Sequence, residues 1–214
     1  MPYLVSKIAD MKNALVLFFL VITIILDAQV YERRYNITSD GKDVGHLIAT
    51  KKDEGRIIKY EISSDVTVRI LFKIQMTNEI QAVFKDGILI YSSATLYLNG
   101  NVYSDAKIEK GNGFYTVEKD GHETKIYSDG IRSSSAKLYF YEPLGEDVSL
   151  SETEGEIKDV DIQGVKKYIL TEGGSDRSVS TYIYSDSDGL HHIKLVRPFV
   201  PELYIYRVKD ISQY

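Results

Sequence analysis

The sequence predicts an all-β protein in which an antiparallel meander curls into a barrel or half-barrel, behind an N-terminal signal-peptide helix. Apolar and polar residues alternate almost without exception through residues 58–84. A period of two places alternate side chains on opposite faces of a strand. Tyr is abundant, with 17 residues, and favours strands. The dipeptides Asp86-Gly87 and Asn99-Gly100 are strong signals for two-residue hairpin turns.

The alternating stretch, residues 58–84, is too long for one straight strand. At about 3.3 Å per residue it would extend for roughly 90 Å, several times the usual strand length. The stretch must therefore bend or divide, and because it contains no Gly or Pro, the candidate positions are residues 63–65 and Thr77 and Asn78. Strongly bent strands curl a sheet over its own apolar face, which favours a barrel or half-barrel over a flat sandwich.

The first 28 residues are expected to be a secretory signal peptide. Residues 14–26 are apolar except for one Thr, and Lys12 precedes them. As a helix, about thirteen residues would span roughly 20 Å, short of a bilayer core of about 30 Å. The residues that follow suit cleavage after Ala28. Met11 is an alternative start, and an uncleaved membrane anchor is the alternative interpretation of the apolar run.

Residues 29–214 are expected to form a single β domain. Residues 136–141 are an aromatic patch whose pattern fits a short helix and a strand equally well, and residues 146–161 are acid-rich with weak alternation. Besides the central stretch, strands are predicted at residues 30–38, 44–50, 88–98, 102–109, 114–119, 123–127, 165–171, 178–185, 190–196 and 202–208.

Composition excludes several classes of function. The formal net charge is -5 and there is no basic block, so nucleic-acid binding is not expected. Cys is absent, which excludes disulfides, thiolate zinc sites and a cysteine nucleophile. No Gly-x-Ser-x-Gly motif, phosphate loop or dinucleotide fingerprint is present. We therefore expect a non-enzymatic protein without a cofactor.

The residues that could carry chemistry form no site that can be recognised in the sequence. His191 and His192 are adjacent in a predicted strand, so we expect their side chains to point to opposite faces and not to share a metal ion. The acidic residues 152–161 are expected to be solvated. No metal site is predicted. A hydrolase whose carboxylates meet only in the folded chain remains an alternative.

The long apolar face of the central stretch is the feature with the clearest functional meaning. A curved sheet of this length can enclose a space for an apolar ligand such as a lipid. The candidate ligand-binding residues on the concave face are Ile70, Phe72, Ile74, Met76 and Phe84. A simple filled core is the competing interpretation, and a transmembrane barrel with its apolar face towards lipid is a third.

Several short segments resemble an uncharacterised family of small exported β proteins from Gram-negative bacteria, known as a domain of unknown function. The resemblance covers nearly all of residues 29–214, although residues 197–201 depart from the expected pattern. It is carried by residues 62–66, 84–87, 99–100, 136–143, 151–152 and 155–156. The chain is also similar, at the level of the fold, to the half-barrels of periplasmic lipoprotein carriers.

The resemblance implies a meandering curved sheet and a location in the cell envelope. It supplies no catalytic or binding residues. We therefore expect an exported protein, located in the periplasm, at the outer membrane or outside the cell. It is expected to bind an apolar ligand or a lipidated partner on its concave face. The alternative is a structural or interaction protein with a filled core.

Overall fold

The computed structural model describes residues 29–69, 72–172, 175–186, 189–197 and 200–208. The predicted signal peptide and the candidate residue Ile70 lie outside this set. Within it, no helix is long and apolar enough to cross a membrane.

The described residues form fourteen strands and one short helix, so the prediction of an all-β protein is confirmed. The strands are β1 (Gln29–Ser39), β2 (Lys42–Asp53), β3 (Ile57–Arg69), β4 (Lys73–Lys85), β5 (Ile88–Leu98), β6 (Asn101–Lys110), β7 (Phe114–Lys119), β8 (His122–Tyr127), β9 (Val148–Ser151), β10 (Glu156–Ile162), β11 (Lys167–Glu172), β12 (Ser175–Ser185), β13 (Gly189–Arg197) and β14 (Val200–Arg207). The helix α1 (Ser135–Leu138) lies between β8 and β9.

All fourteen strands belong to one antiparallel sheet in the order β8-β7-β6-β5-β4-β3-β2-β1-β14-β13-β12-β11-β10-β9. Consecutive strands are therefore also neighbours in the sheet, with the exception of β8 and β9. The first and last strands pair in the middle of the sheet, where Tyr35 lies opposite Arg207. The edges are β8 and β9, which are consecutive in the chain but do not pair with each other.

Side chains bring the two edges of the sheet together where backbone pairing does not. The ammonium of Lys119 on β7 donates a hydrogen bond of 3.2 Å to the carbonyl oxygen of Thr153, in the turn between β9 and β10. Gly155 in the same turn packs so closely that a Cβ atom there would lie 2.9 Å from Cγ1 of Val117. The sheet is thus barrel-like without a continuous ring of hydrogen bonds.

The predicted hairpin turns are confirmed by their backbone angles. Asp86 and Gly87 have φ values of 52° and 80°, and Asn99 and Gly100 have values of 50° and 81°. Two successive positive φ angles define a type I′ turn, whose twist matches that of the adjoining strands. Asn and Asp tolerate this region better than other side chains, which is why these dipeptides are informative in the sequence.

The central stretch divides, which is one of the two predicted possibilities, but the break between β3 and β4 lies neither at residues 63–65 nor at Thr77 and Asn78. The stretch forms a hairpin of β3 and β4, which pair in register from Ile57 opposite Lys85 to Arg69 opposite Lys73. The three-residue connection between them contains no Gly or Pro and so gives no turn signal. Because its length is odd, even-numbered residues stay on the inner face in both strands, and the alternation continues through the turn.

The lumen of the barrel is filled by the segment that connects β8 to β9. Residues 131–141, which we call the plug, contain α1 and carry the buried apolar side chains Ile131, Ala136, Leu138, Tyr139 and Phe140. The Tyr139 ring packs edge-on against Tyr35, and Phe140 packs against Tyr60, with centroid distances of 5.4 and 5.6 Å. The aromatic patch is therefore neither a strand nor a full helix, because it turns inside the sheet.

Hydrogen bonds fix the plug to the sheet at both ends. The backbone N–H of Leu89 donates to the carbonyl oxygen of Ile131 at 2.9 Å. At the other end the hydroxyl of Tyr184 lies 2.8 Å from the carbonyl oxygen of Leu138 and 3.1 Å from that of Tyr141. Backbone carbonyls that would lack partners inside a barrel are thereby satisfied by side chains of the sheet.

Candidate functional site

The structure does not bring the predicted ligand-binding residues together at one place. Phe84 is buried, with 2% exposure, whereas Phe72 is 65% exposed beside the turn between β3 and β4. Ile74 and Met76 are partly buried and pack against the core. Ten residues of strand, roughly 33 Å, separate Ile74 from Phe84. Only Phe84 of this set lines the apolar cavity described next.

An apolar cavity of about 310 Å³ lies between the β3–β4 hairpin and the end of the plug. The rings of Tyr60 and Phe84 meet edge to face, with centroids 5.6 Å apart, and form one wall. The apolar side chains around the cavity are Ile58, Tyr60, Phe84, Leu138, Pro143 and Leu144. Its volume falls at the lower end of the range for small-molecule sites.

One cation, Lys137, lies at the rim of the apolar cavity. Its ammonium donates to the carbonyl oxygen of Arg132 at 2.6 Å and lies 5.4 Å from the centroid of the Phe84 ring. Burial lowers the pKa of Lys137 and the charge of Arg132 adds to this, while Glu146 acts in the opposite direction. The lining also includes Glu142 and Glu146, so the walls of the cavity are mainly apolar and its rim carries charges of both signs.

A second hollow, of about 570 Å³, lies beside the first at the same end of the barrel. We call it the cationic hollow. It contains three positive side chains and one carboxylate among aromatic rings. The residues around it are Val30, Tyr31, Glu32, Arg33, Lys51, Phe140, Tyr141 and Arg207.

Strand register explains why the three cations converge. Tyr31, Arg33 and Tyr35 lie on the inner face of β1, with Lys51 of β2 directly opposite Tyr31 and Arg207 of β14 directly opposite Tyr35. Lys51 and Arg207 are therefore both diagonal neighbours of Arg33. Diagonal neighbours in an antiparallel pair lie about 7–8 Å apart, within reach of long side chains.

Lys51 is the most deeply buried of the three cations, with 8% exposure. Its ammonium donates to the hydroxyl of Tyr141 at 2.8 Å and lies 4.3 Å from the centroid of the Tyr31 ring. The carboxylate of Asp53 is 3.7 Å away, too far for a hydrogen bond. A buried ammonium is thus held mainly by rings and a neutral hydroxyl.

Arg33 is positioned by the plug. Its Nη1 donates to the carbonyl oxygen of Tyr139 at 2.6 Å, and its guanidinium lies 5.1 Å from the Phe140 ring centroid. A Cβ atom at Gly189 would lie 3.0 Å from Nη1 of Arg33, so this glycine leaves room for the guanidinium. Among the described residues no carboxylate lies within ion-pair distance of Arg33.

The charges of the two arginines also reach Tyr35. Burial raises the pKa of the Tyr35 hydroxyl, while a hydrogen bond with Arg207 and the charge of Arg33 both act to lower it. The carboxylate of Glu32, by contrast, is engaged by the exposed Arg34 at 2.7 Å. The charged side chains that line the cationic hollow are thus three cations and one carboxylate.

The apolar cavity and the cationic hollow are adjacent. Tyr141 lines both. Across the sheet, Lys51 of the hollow lies directly opposite Tyr60 of the cavity, and paired residues have Cβ atoms about 4.5–5.5 Å apart. The two together form one composite site at the open end of the barrel.

Sequence reasoning missed the cationic hollow, although the sequence contains a signal for it. Arg33 occurs on the same face as Tyr35 and Ile37, and a cation within an apolar alternation is unusual. The convergence with Lys51 and Arg207 depends on strand pairing, which the sequence pattern does not give.

A separate polar pocket of about 210 Å³ lies further along the lumen, and Glu154, Lys158 and Arg197 are among its residues. The carboxylate of Glu154 lies 2.6 Å from the ammonium of Lys158 and 3.6 Å from the guanidinium of Arg197. These contacts largely neutralise the charges within the pocket.

Glu152 beside this pocket is fully buried, so the expectation that the acidic residues 152–161 are all solvated is wrong for it. Its carboxylate accepts hydrogen bonds from the Ser135 hydroxyl and from the backbone N–H of Ala136. Burial raises its pKa, while the serine hydrogen bonds act in the opposite direction. Glu152 therefore caps α1 inside the lumen.

His191 and His192 do not point to opposite faces as predicted. A bulge in β13 leaves Ile183 opposite His192 and Tyr184 opposite Leu190, so His191 is the extra residue. Their Nδ1 atoms are consequently 2.8 Å apart. Across the residues that the structure describes, no three side chains of His, Asp or Glu are grouped to hold a metal ion.

The fold and its composite site define a barrel-like β protein with a plugged lumen. The chain belongs to the DUF6134 family, a domain of unknown function whose model matches residues 35–196. This confirms the predicted membership of an uncharacterised family. No curated protein matches the chain.

Comparison with solved structures supports the barrel-like fold. The chain is similar to a beta-barrel-like protein of the domain of unknown function DUF1849 from Brucella abortus, with a TM-score of 0.54 and 8% sequence identity. The similarity covers 85% of this chain and 97% of that one. At this identity the likeness concerns the fold alone.

Proposed function

We propose that this protein is a non-enzymatic binding protein that takes an apolar ligand into the apolar cavity at the open end of the barrel. The observation that carries the proposal is the cavity itself, of about 310 Å³, whose wall includes Ile58, Tyr60 and Phe84. Apolar walls with few polar groups are typical of small-molecule sites. The ligand is a free lipid-like molecule or the hydrocarbon chain of a lipidated partner.

We also propose that the protein is exported to the cell envelope. The apolar run at residues 14–26, preceded by Lys12, supports this proposal. Lipids and lipidated proteins that cross an aqueous compartment need a carrier that shields hydrocarbon from water, and an exported binding protein would meet that need.

The alternative is an interaction protein with a filled core, and the plug favours it. Tyr139 and Phe140 are buried and pack against Tyr35 and Tyr60, so the plug takes up part of the space inside the sheet that a ligand could otherwise use. Native mass spectrometry separates the two functions. The protein would be purified without detergent from a bacterial host that exports it, and octanol would then be added as a simple apolar probe.

Matched substitutions place the binding at the cavity. Leu144→Asp puts a carboxylate on the cavity wall, and Val165→Asp puts one on an exposed apolar residue elsewhere. We expect Leu144→Asp to weaken octanol binding about tenfold, because burying an apolar group contributes about 1.5–3 kcal/mol. Val165→Asp should leave it unchanged. Absence of octanol binding, or equal affinity in Leu144→Asp, would favour the filled-core alternative.

A further inference from the structure

We propose that the cationic hollow binds the anionic group of the ligand, so that the site takes a single-chain amphiphile with a phosphate or carboxylate head. The inference rests on the proposed function of the apolar cavity and extends it to the charge of the ligand. It is carried by Arg33, Lys51 and Arg207, which line one hollow beside that cavity.

The first argument is the electrostatic state of the hollow. Lys51 is nine-tenths buried, and its nearest carboxylate, that of Asp53, is at 3.7 Å. Arg33 donates to a neutral carbonyl oxygen. Buried charges are usually paired because removing them from water is costly. The described side chains around Arg33 and Lys51 balance these two positive charges only in part. A bound anion would supply the remaining negative charge.

The second argument is the donor geometry. A guanidinium carries five N–H donors in a planar fork, and the contact with Tyr139 uses Nη1 of Arg33. The other N–H groups suit the oxygens of a phosphate or carboxylate, which Arg binds in a bidentate manner. The ring of Phe140 beneath the guanidinium restricts its orientation and so prepares it for such contacts.

The third argument is the position of the hollow next to the cavity. The hollow is built on β14, β1 and β2, and the cavity on β3 and β4, which follow directly in the sheet. Adjacent strands are about 4.8 Å apart, so roughly 10 Å separates Arg33 on β1 from the strand that carries Tyr60. A head group over β1 and a chain entering at β3 would therefore belong to one molecule that passes Tyr141.

Arg33 and Arg69 provide a matched pair of variants for the test. Arg69 is an exposed arginine at the end of β3 and does not line the hollow. Binding of octyl phosphate, octanol and inorganic phosphate would be measured by titration calorimetry for wild type, Arg33→Gln and Arg69→Gln. Circular dichroism would check folding, and Lys51→Met would replace Arg33→Gln if that variant does not fold.

We expect octyl phosphate to bind wild type at least about tenfold more tightly than either octanol or inorganic phosphate. The advantage over octanol should disappear in Arg33→Gln, persist in Arg69→Gln, and shrink as salt is added. Octanol affinity should be equal in all three proteins. Equal binding of octyl phosphate and octanol would overturn the inference and leave the apolar cavity intact.

The remaining outcomes are also distinguishable. If inorganic phosphate binds as tightly as octyl phosphate, the hollow binds a free anion. The inference of a ligand that has both an anionic head and a hydrocarbon chain would then be overturned. Failure of octanol to bind wild type would overturn the proposed function, and with it the inference that rests on it. An equal loss of octyl phosphate affinity in Arg33→Gln and Arg69→Gln would show that only general charge matters, which contradicts a specific site.

Discussion

The ammonium of Lys51 donates a hydrogen bond of 2.8 Å to the hydroxyl of Tyr141. This bond joins the second strand of the sheet to the last residue of the plug, at the boundary between the apolar cavity and the cationic hollow. Because Lys51 is buried, this contact and the neighbouring rings replace part of the hydration of its ammonium. Two substitutions at the bond should therefore have different effects on stability.

We expect Tyr141→Phe to lower the free energy of unfolding by about 1–2 kcal/mol, because it leaves a buried ammonium without its hydroxyl acceptor. Lys51→Met removes the charge together with the need for a partner, so it should stay within about 1 kcal/mol of wild type or exceed it. Urea denaturation at neutral pH measures both. Equal destabilisation by the two substitutions would contradict this account of the bond.

Gly155 tests whether the two edges of the sheet meet. Its φ is +69° and an added Cβ would lie 2.9 Å from Val117, whereas Gly121 has a φ of +77° with nothing within 4 Å of the added atom. Both Ala substitutions carry the left-handed backbone penalty of about 1–2 kcal/mol. Gly155→Ala should lose about 1–3 kcal/mol more through overpacking.

Thermal and urea unfolding of the two glycine variants provide the measurement. The difference between Gly155→Ala and Gly121→Ala reports the contact between β7 and the turn that follows β9. Identical losses would mean that the edges are apart in solution and that the barrel is open along its length.

Glu152 should make stability fall as pH rises. Burial raises its pKa above the ordinary value of 4.5, so the folded state holds a proton that the unfolded state has released. The free energy of unfolding should therefore decline as pH increases from about 4.5 towards the raised pKa, by at most about 1.4 kcal/mol per pH unit. Glu152→Gln, which cannot ionise, should lack this decline.

The measurement for Glu152 is urea denaturation of both proteins from acid to neutral pH. The stability of wild type relative to Glu152→Gln should decrease steadily across that range. Parallel curves would indicate that the carboxyl has an ordinary pKa, which its full burial opposes.

His192 should change stability with pH in the direction opposite to that of Glu152, so that stability falls as pH falls. Burial lowers its pKa below 6.5, and the charge of His191 lowers it further. With their Nδ1 atoms 2.8 Å apart, one ring must donate and the other accept. The unfolded state takes up the proton first as pH falls below 6.5, so stability should decrease there.

We expect His192→Gln to remove part of this acid-side loss of thermal stability, whereas His122→Gln, at an exposed turn residue, should retain all of it. Melting temperatures of the three proteins between pH 7.5 and 5 provide the comparison. A loss of the same size in His192→Gln and wild type would show that protonation of His192 costs the folded state nothing.

The fold was predictable because its signals are local. Alternation assigns the strands, and the Asp86-Gly87 and Asn99-Gly100 dipeptides fix two of the turns. The position of the break between β3 and β4 could not be predicted, because the three residues between these strands contain no Gly or Pro and leave the alternation unbroken. The faces of His191 and His192 were predicted wrongly for a related reason. A bulge shifts the inward and outward alternation of a strand by one residue, and the sequence gives no sign of it.

The composite site was only partly predictable because it depends on contacts between distant parts of the chain. Phe84 was identified from its place on the apolar face, but Lys51 and Arg207 reach Arg33 only through strand pairing. The plug decides which part of the inner face remains accessible, and the pattern of residues 136–141 could not reveal its path. A local pattern gives the face of a residue and not its neighbours across the sheet.

The pairing of β1 with β14 in the middle of the sheet has a consequence for how the molecule is made. Strands β1 to β8 are joined by short hairpins and can assemble before the rest of the sheet, because local contacts form fastest. The outer edge of β1 then stays open until Arg207 arrives opposite Tyr35. Open strand edges promote association between chains, so the interval before β14 arrives is the stage of biogenesis at which this chain most needs a holding chaperone.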